Sequence, residues 1–146
     1  MRNVLYSFLV LGLLFSCGPK EGQQDLGATE FQTALTAESK AQILDVRTAG
    51  EFQGGHIEGA LNADVSSESF QQVASGLDKD KSVFVYCLSG ARSASAAGML
   101  KEMGFKSIVN LTGGMLAWQS ANLPIATGEA KPAGSAGLTE ATFAEK

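Results

Sequence analysis

Cysteine and histidine are scarce in this chain of 146 residues, which has two cysteines and one histidine. Two thiols, Cys17 and Cys87, are too few for a framework of disulfides. His56 is the only imidazole that could act as a general base. Basic residues are scattered without any basic run and the formal net charge is −4, so no nucleic-acid partner is expected.

Long apolar runs are confined to the first seventeen residues. Arg2 precedes an almost unbroken apolar run over residues 4–15, which is shorter than the roughly 20 residues that a spanning helix needs. The pattern predicts a secretory signal over residues 1–16. The sequence Leu-Phe-Ser-Cys at 14–17 resembles a bacterial lipobox, which implies that Cys17 becomes the lipid-modified first residue of the mature chain. An ordinary cleavable signal with a coincidental cysteine is the alternative.

This interpretation places the protein outside the cytoplasm, in a bacterial cell envelope. A lipid at Cys17 would anchor it to a membrane on the periplasmic or surface side. Cys87 would then be the only remaining thiol, which excludes an intramolecular disulfide and a dithiol mechanism within the chain. A single cysteine in an exported protein is expected to be reactive or to pair with another molecule.

The second cysteine lies in a stretch that reads as strand, tight loop and helix. Residues 83–86, Val-Phe-Val-Tyr, are β-branched or aromatic and predict a strand buried on both faces. A helix is predicted from Ala91 to Met103. In open α/β sheets, ligands bind beyond the carboxyl ends of the strands, where the amino-terminal ends of helices present free N–H groups. We expect Cys87 at that position.

Such a loop favours the thiolate form of cysteine. An unperturbed thiol with a pKa of ~8.5 is only about 3% ionised at neutral pH, and the thiolate is the nucleophile. Gly90 allows the backbone to curl, so that N–H groups, the following helix and the guanidinium of Arg92 can stabilise the anion. Ser93 can cap the helix or donate to the sulfur. A buried, inert cysteine is the alternative for Cys87 considered without these neighbours.

The order Cys-x-x-Gly-x-Arg-Ser at 87–93 resembles the active loop of the rhodanese (sulfurtransferase) family. Residues 44–62 and 110–118 resemble the first and last motifs of the same family, and the likeness covers roughly residues 25–128. It implies an α/β fold with a central, mostly parallel sheet of about five strands and helices on both faces. It also implies a persulfide on Cys87, with the substrate bound by Leu88, Ser89, Gly90, Ala91, Arg92 and Ser93.

The domain organisation follows from these boundaries. Residues 17–24 are predicted to be a tether, 25–128 a single rhodanese-like domain and 129–146 a flexible tail rich in Pro, Gly, Ala and Ser. A monomer is expected. Within the domain we expect three structural features, which are an ion pair of Asp45 with Arg47, a mainly structural His56 and a Trp118 that packs the domain edge.

The predicted reaction is sulfur transfer from a small donor, such as thiosulfate or a polysulfide, to cyanide or a thiol. No cofactor and no metal is expected. Leu88 is apolar where many thiosulfate-using relatives carry a basic or polar side chain, which leaves room for another donor. Two other functions remain open. One is a cysteine phosphatase, although such loops have five residues between cysteine and arginine and this loop has four. The other is a non-catalytic, membrane-anchored module that binds sulfide or recruits a partner.

Overall fold

Five short strands form one parallel sheet in the computed structural model, which describes residues 21–129. The order across the sheet is β1-β5-β4-β2-β3, and every neighbouring pair is parallel. All four residues of β4 are buried, as expected for a central strand with apolar residues on both faces. The predicted fold is confirmed. The strands are β1 Gly22–Leu26, β2 Gln42–Asp45, β3 Leu61–Asn62, β4 Val83–Tyr86 and β5 Ser107–Leu111.

Within the described residues, five helices cover the two faces of the sheet. Successive side chains of β4 point to opposite faces, so Val85 belongs to one apolar cluster and Phe84 to the other. The helices α3 and α4 supply residues to the first cluster, and α1, α2 and α5 supply residues to the second. The helices are α1 Ala28–Ala37, α2 Ala49–Gln53, α3 Ser69–Ser75, α4 Ala91–Glu102 and α5 Gly114–Ser120.

The first strand, β1, includes part of the predicted tether. Gly22 lies opposite Ser107 and Gln24 lies opposite Val109 in the parallel pairing of β1 with β5. The last three residues of the predicted tether, 22–24, therefore belong to the sheet. The polar sequence of this strand fits its exposed edge position. Cys17, the predicted signal and the tail beyond residue 129 lie outside the described residues.

A short helix that the sequence did not predict follows β2. The Thr48 hydroxyl accepts from the Glu51 amide, and the Glu51 carboxylate accepts from the Thr48 amide. This reciprocal cap satisfies amide groups at the start of α2 and explains why so short a segment is helical. The helix carries Glu51 to the side of the molecule where β4 ends. No helix within residues 21–129 has the length and apolar character required to cross a membrane.

The predicted ion pair of Asp45 and Arg47 is confirmed and is buried. Nη2 of Arg47 donates to Asp45 Oδ2 at 2.6 Å and to the Gly55 carbonyl oxygen at 2.7 Å. Nε of Arg47 also donates to the same carboxylate, at 3.0 Å and 3.1 Å to its two oxygens. These bonds tie the segment after α2 to the end of β2, because each charged group is satisfied only when both are in place.

His56 and Trp118 both have packing roles. The His56 ring stacks on Phe52 with a centroid distance of 3.7 Å, and its Nδ1 lies 2.9 Å from the Phe52 carbonyl oxygen. Trp118 is buried edge-on against Phe31, and its Nε1 donates to the Pro124 carbonyl at 2.9 Å. These contacts agree with the structural roles expected for both residues.

Candidate active site

Cys87 follows the last residue of β4 and precedes α4, at the carboxyl edge of the sheet. Cys87 itself is only 1% exposed, whereas Leu88, Ser89 and Ala91 around it are exposed. The thiol therefore lies at the floor of a loop whose rim faces solvent. Very little of the residue is therefore accessible to a reagent in solution.

The loop curls around the sulfur through Gly90. This glycine has φ of 111°, a left-handed conformation that favours glycine. Its amide donates to Cys87 Sγ at 3.0 Å, and the same residue is the N-cap of α4. The first turn of α4 therefore begins at the sulfur, as predicted, and its positive end favours a negative charge there.

Two opposing effects set the pKa of Cys87. Burial raises the pKa of the thiol, because desolvation disfavours the anion. The amide of Gly90, which donates to the sulfur, together with the polar groups of Ser93 and the amide of Ser89, outweighs burial and holds the pKa below its ordinary value. The Ser93 hydroxyl itself donates to the Gly90 carbonyl at 3.2 Å. The thiolate fraction at neutral pH is therefore larger than that of a free cysteine.

The amino-terminal end of α5 braces the loop from the other side. The amide of Met115 donates to the Cys87 carbonyl at 2.9 Å, and the amide of Leu116 donates to the Leu88 carbonyl at 3.1 Å. Gly114 allows this close approach, since a Cβ there would lie 2.6 Å from the carbonyl carbon and oxygen of Leu88 and closer still to the Cys87 oxygen. The sequence analysis assigned no role to Gly113 and Gly114. The paired glycines before a helix were the available signal.

Arg92 is paired with a carboxylate, which differs from the expectation that its charge is offered to the sulfur and the donor. Its Nη1 and Nη2 donate to the two oxygens of Glu51, both at 2.8 Å. The Arg92 side chain and the Thr48 cap lower the pKa of Glu51 to about 2, although burial opposes this. The pair is therefore ionised at neutral pH, and its charges cancel. Glu51 had no assigned role in the sequence analysis.

Apolar side chains form part of the rim. Leu88 is 37% exposed and Leu116 is 51% exposed, and the two residues are joined by their backbone hydrogen bond. Exposed leucines beside a reactive group favour ligands with an apolar part. Ser93 is fully buried and Ala91 is exposed, so the six residues predicted to bind substrate line one loop but face different environments.

The comparisons with known proteins agree on one family. The family model described as Rhodanese-like domain matches residues 27–121, which corresponds to a single domain. A thiosulfate sulfurtransferase of Shewanella oneidensis is 36% identical over 88 residues, which cover 60% of this chain and 85% of that protein. The protein YqhL of Bacillus subtilis is 43% identical over 79 residues, which cover 54% of this chain and 61% of that protein.

A solved structure has the same fold. The rhodanese-related protein of Thermoplasma volcanium aligns with a TM-score of 0.62 and 28% identity. The alignment covers 70% of this chain and 97% of that chain. The chain spans less than two thirds of the Bacillus relative and nearly all of the Thermoplasma volcanium chain.

We expect Gly114→Ala to lower the free energy of unfolding by about 3 kcal/mol, because Cβ would collide with the active loop and φ at this position is left-handed. Gly98→Ala is the matched control, since Gly98 lies in α4 with nothing within 4 Å of an added Cβ. It should stabilise the protein by about 0.5–1 kcal/mol. Denaturant unfolding of both variants tests this. Equal stability of Gly114→Ala and the wild type would show that α5 does not constrain the loop.

The rate of Cys87 alkylation by iodoacetamide should follow an apparent pKa below that of a free cysteine, because the thiolate reacts and the loop stabilises it. Ser93→Ala should move that pKa upward, towards the ordinary value, so alkylation begins at higher pH. Ser95→Ala, an exposed change on the same helix, should leave it unchanged. Mass spectrometry of the peptide containing Cys87 gives the rates. An unchanged profile in Ser93→Ala would remove Ser93 from this role.

Proposed function

Because the chain belongs to the rhodanese-like domain family, we propose that it is a sulfurtransferase that carries a sulfane sulfur on Cys87. The observation that supports this most directly is the hydrogen bond from the Gly90 amide to Cys87 Sγ, and the polar groups of Ser93 and Ser89 further lower the pKa of the thiol. A buried cysteine that served only as an apolar side chain would have a raised pKa. The lowered pKa is typical of a nucleophile.

In the first half-reaction, the Cys87 thiolate attacks the outer sulfur of the donor. A new S–S bond forms to Cys87 while the bond between that sulfur and the rest of the donor breaks. The bonding electron pair leaves with the donor remnant, which is sulfite when the donor is thiosulfate and a thiolate when it is an organic persulfide. The product is a Cys87 persulfide anion, which the loop amides stabilise as they stabilise the thiolate.

In the second half-reaction, an acceptor nucleophile attacks the outer sulfur of the persulfide. Its S–S bond breaks, and the electron pair returns to Cys87 as the thiolate. With cyanide the product is thiocyanate, and with a thiolate it is a new persulfide. Neither step requires a base on the enzyme, which fits the engagement of His56 with Phe52.

The low exposure of Cys87 supports transfer of a single sulfur atom. A terminal sulfur can enter a narrow opening end-on, whereas a phosphoryl group must be surrounded by donors on several sides. The short loop between Cys87 and Arg92, and the pairing of Arg92 with Glu51, both count against a phosphatase. The stabilised thiolate counts against a module that only recruits partners.

We further propose that Cys17 carries a lipid and that the domain works at a membrane of the bacterial envelope. The support comes from the sequence alone, namely the basic residue, the apolar run over 4–15 and the lipobox-like residues before Cys17. The first strand begins at Gly22, so a lipidated Cys17 would hold the domain close to the membrane surface.

Cys87→Ser should abolish formation of the protein persulfide, because a hydroxyl is not a comparable nucleophile at neutral pH. The wild type should gain the mass of one sulfur atom after incubation with thiosulfate, inorganic polysulfide or mercaptopyruvate. Cys17→Ser is the control and should gain that sulfur like the wild type. Intact-mass spectrometry followed by alkylation of the product gives the result. A wild type that gains no sulfur from any of these donors would favour the binding-module alternative.

In bacterial cells supplied with an alkyne-tagged palmitate, the full chain should become labelled and should fractionate with membranes. Cys17→Ser should lose both properties, because Cys17 is the proposed lipidation site. The Cys87→Ser chain should keep the label. Equal labelling of the wild type and Cys17→Ser would contradict lipidation at this position, and a soluble, unlabelled wild type would contradict the anchor altogether.

A further inference from the structure

Positive charge is distributed unevenly between the two edges of the sheet. Within residues 21–129 there are five lysines and two arginines. The lysines precede strands β2, β4 and β5 or lie at the end of α4, which runs back across the sheet, so they belong to the edge opposite Cys87. They are Lys40, Lys79, Lys81, Lys101 and Lys106. The cations described at the Cys87 edge are therefore the two arginines.

Both arginines are neutralised by carboxylates. Arg47 is buried in its pair with Asp45. Arg92, which starts α4 beside the sulfur, gives both terminal nitrogens to Glu51. The edge that holds the reactive thiolate therefore presents paired charges. Glu51 is the main group that raises the pKa of Arg92, and Cys87 and Asp64 act on the same guanidinium electrostatically.

Glu51 is fixed in place on two sides. Its Oε2 accepts from the Thr48 amide at 3.1 Å and from the Thr48 hydroxyl at 3.0 Å. Both carboxylate oxygens also accept from Arg92. A carboxylate held by a helix cap cannot swing away at little cost, and a bidentate guanidinium pair has a defined geometry. The pairing is therefore a stable feature of the site and not a chance surface contact.

We propose that Glu51 is a specificity-determining residue that cancels the charge of Arg92 beside Cys87 and so disfavours dianionic sulfur donors. The preferred donor is then a sulfane sulfur carried on an organic group with at most one negative charge, such as an organic persulfide or a thiosulfonate. The donor part of this inference rests on the proposed sulfurtransferase function. The charge part depends only on the pairing of Glu51 with Arg92.

The rim of the loop supports the same class of donor. Leu88 and Leu116 expose apolar surface at the rim of the loop. This surface can contact the organic part of a donor, and it has no hydrogen-bond donor for a sulfonate oxygen. A thiosulfate dianion would approach a thiolate, already anionic, without an unpaired cation to offset their repulsion. A donor of lower charge is repelled less strongly by the Cys87 thiolate.

Two donors test the inference because they transfer the same atom and differ by one charge. Thiosulfate gives its outer sulfur to Cys87 and releases sulfite. Methanethiosulfonate gives its outer sulfur to Cys87 and releases methanesulfinate, with the same S–S bond formed and the same kind of S–S bond broken. The ratio of kcat/KM for the two donors therefore reports on charge and cancels changes in the reactivity of the sulfur.

The matched variants are Glu51→Gln and Glu102→Gln. Glutamine at position 51 keeps the helix cap and removes the charge, whereas Glu102 is an exposed carboxylate at the far end of α4. Glu51→Gln should raise the thiosulfate-to-methanethiosulfonate ratio about fivefold, as expected for exposing one partly solvated cation near the sulfur. Glu102→Gln should leave the ratio unchanged. The double variant Glu51→Gln with Arg92→Ala should show no such increase in the ratio, because the increase depends on the exposed charge of Arg92.

A second readout does not need sulfur transfer. Iodoacetate is an anion and iodoacetamide is neutral, so the ratio of their alkylation rates at Cys87 measures the local potential. In the wild type this ratio should be no higher than for the model thiol N-acetylcysteine amide, and in Glu51→Gln it should rise about fivefold. A wild-type ratio several times that of the model thiol, or no rise in folded Glu51→Gln, would overturn the inference. The wild-type comparison decides the question even if the variant does not fold.

The two proposals fail in different ways. Suppose that the ratio of iodoacetate to iodoacetamide alkylation rates rises in Glu51→Gln but neither donor transfers sulfur to any variant. The charge assignment then stands and the sulfurtransferase proposal is wrong. If both donors react but the ratio of kcat/KM is the same in the wild type and Glu51→Gln, the sulfurtransferase proposal stands and Glu51 has no role in specificity.

Discussion

The hydrogen bond from the Gly90 amide to the Cys87 sulfur, 3.0 Å long, is the contact on which the site depends. It requires a left-handed residue at position 90, a loop short enough to bring α4 up to the strand, and carbonyl groups turned away from the sulfur. The amides of α5 satisfy that last requirement, because they bind the Cys87 and Leu88 carbonyls on the far side of the loop. The loop backbone, together with the Ser93 side chain, therefore lowers the pKa of this thiol.

The rest of the fold keeps that backbone rigid. The central strand β4 is paired on both sides, so the position of Cys87 is fixed relative to the ends of β2 and β5. The buried pair of Asp45 and Arg47 secures the segment after α2. Glu51 on α2 then joins this segment to Arg92 at the start of α4. The segment from the end of β2 through α2 thus both stabilises the scaffold and neutralises Arg92.

The parts of this arrangement that are local in sequence could be predicted, and the parts that join distant segments could not. The strand, loop and helix around Cys87 follow from consecutive residues whose patterns are unambiguous. The pairing of Arg92 with Glu51 joins residues 41 positions apart. The sequence alone does not indicate which of several carboxylates lies beside Arg92. The brace by α5 depends on which strand neighbours β4. The first strand was missed over residues 22–24 because an exposed edge strand can be polar.

A crystal structure of the protein after reaction with a sulfur donor tests the central claim most directly. The account predicts a second sulfur bonded to Cys87 and lying within hydrogen-bonding distance of the loop amides, among them those of Ser89, Gly90 and Ser93. Arg92 should remain paired with Glu51. A Cys87 without added sulfur, or an outer sulfur that points away from those amides, would contradict the account.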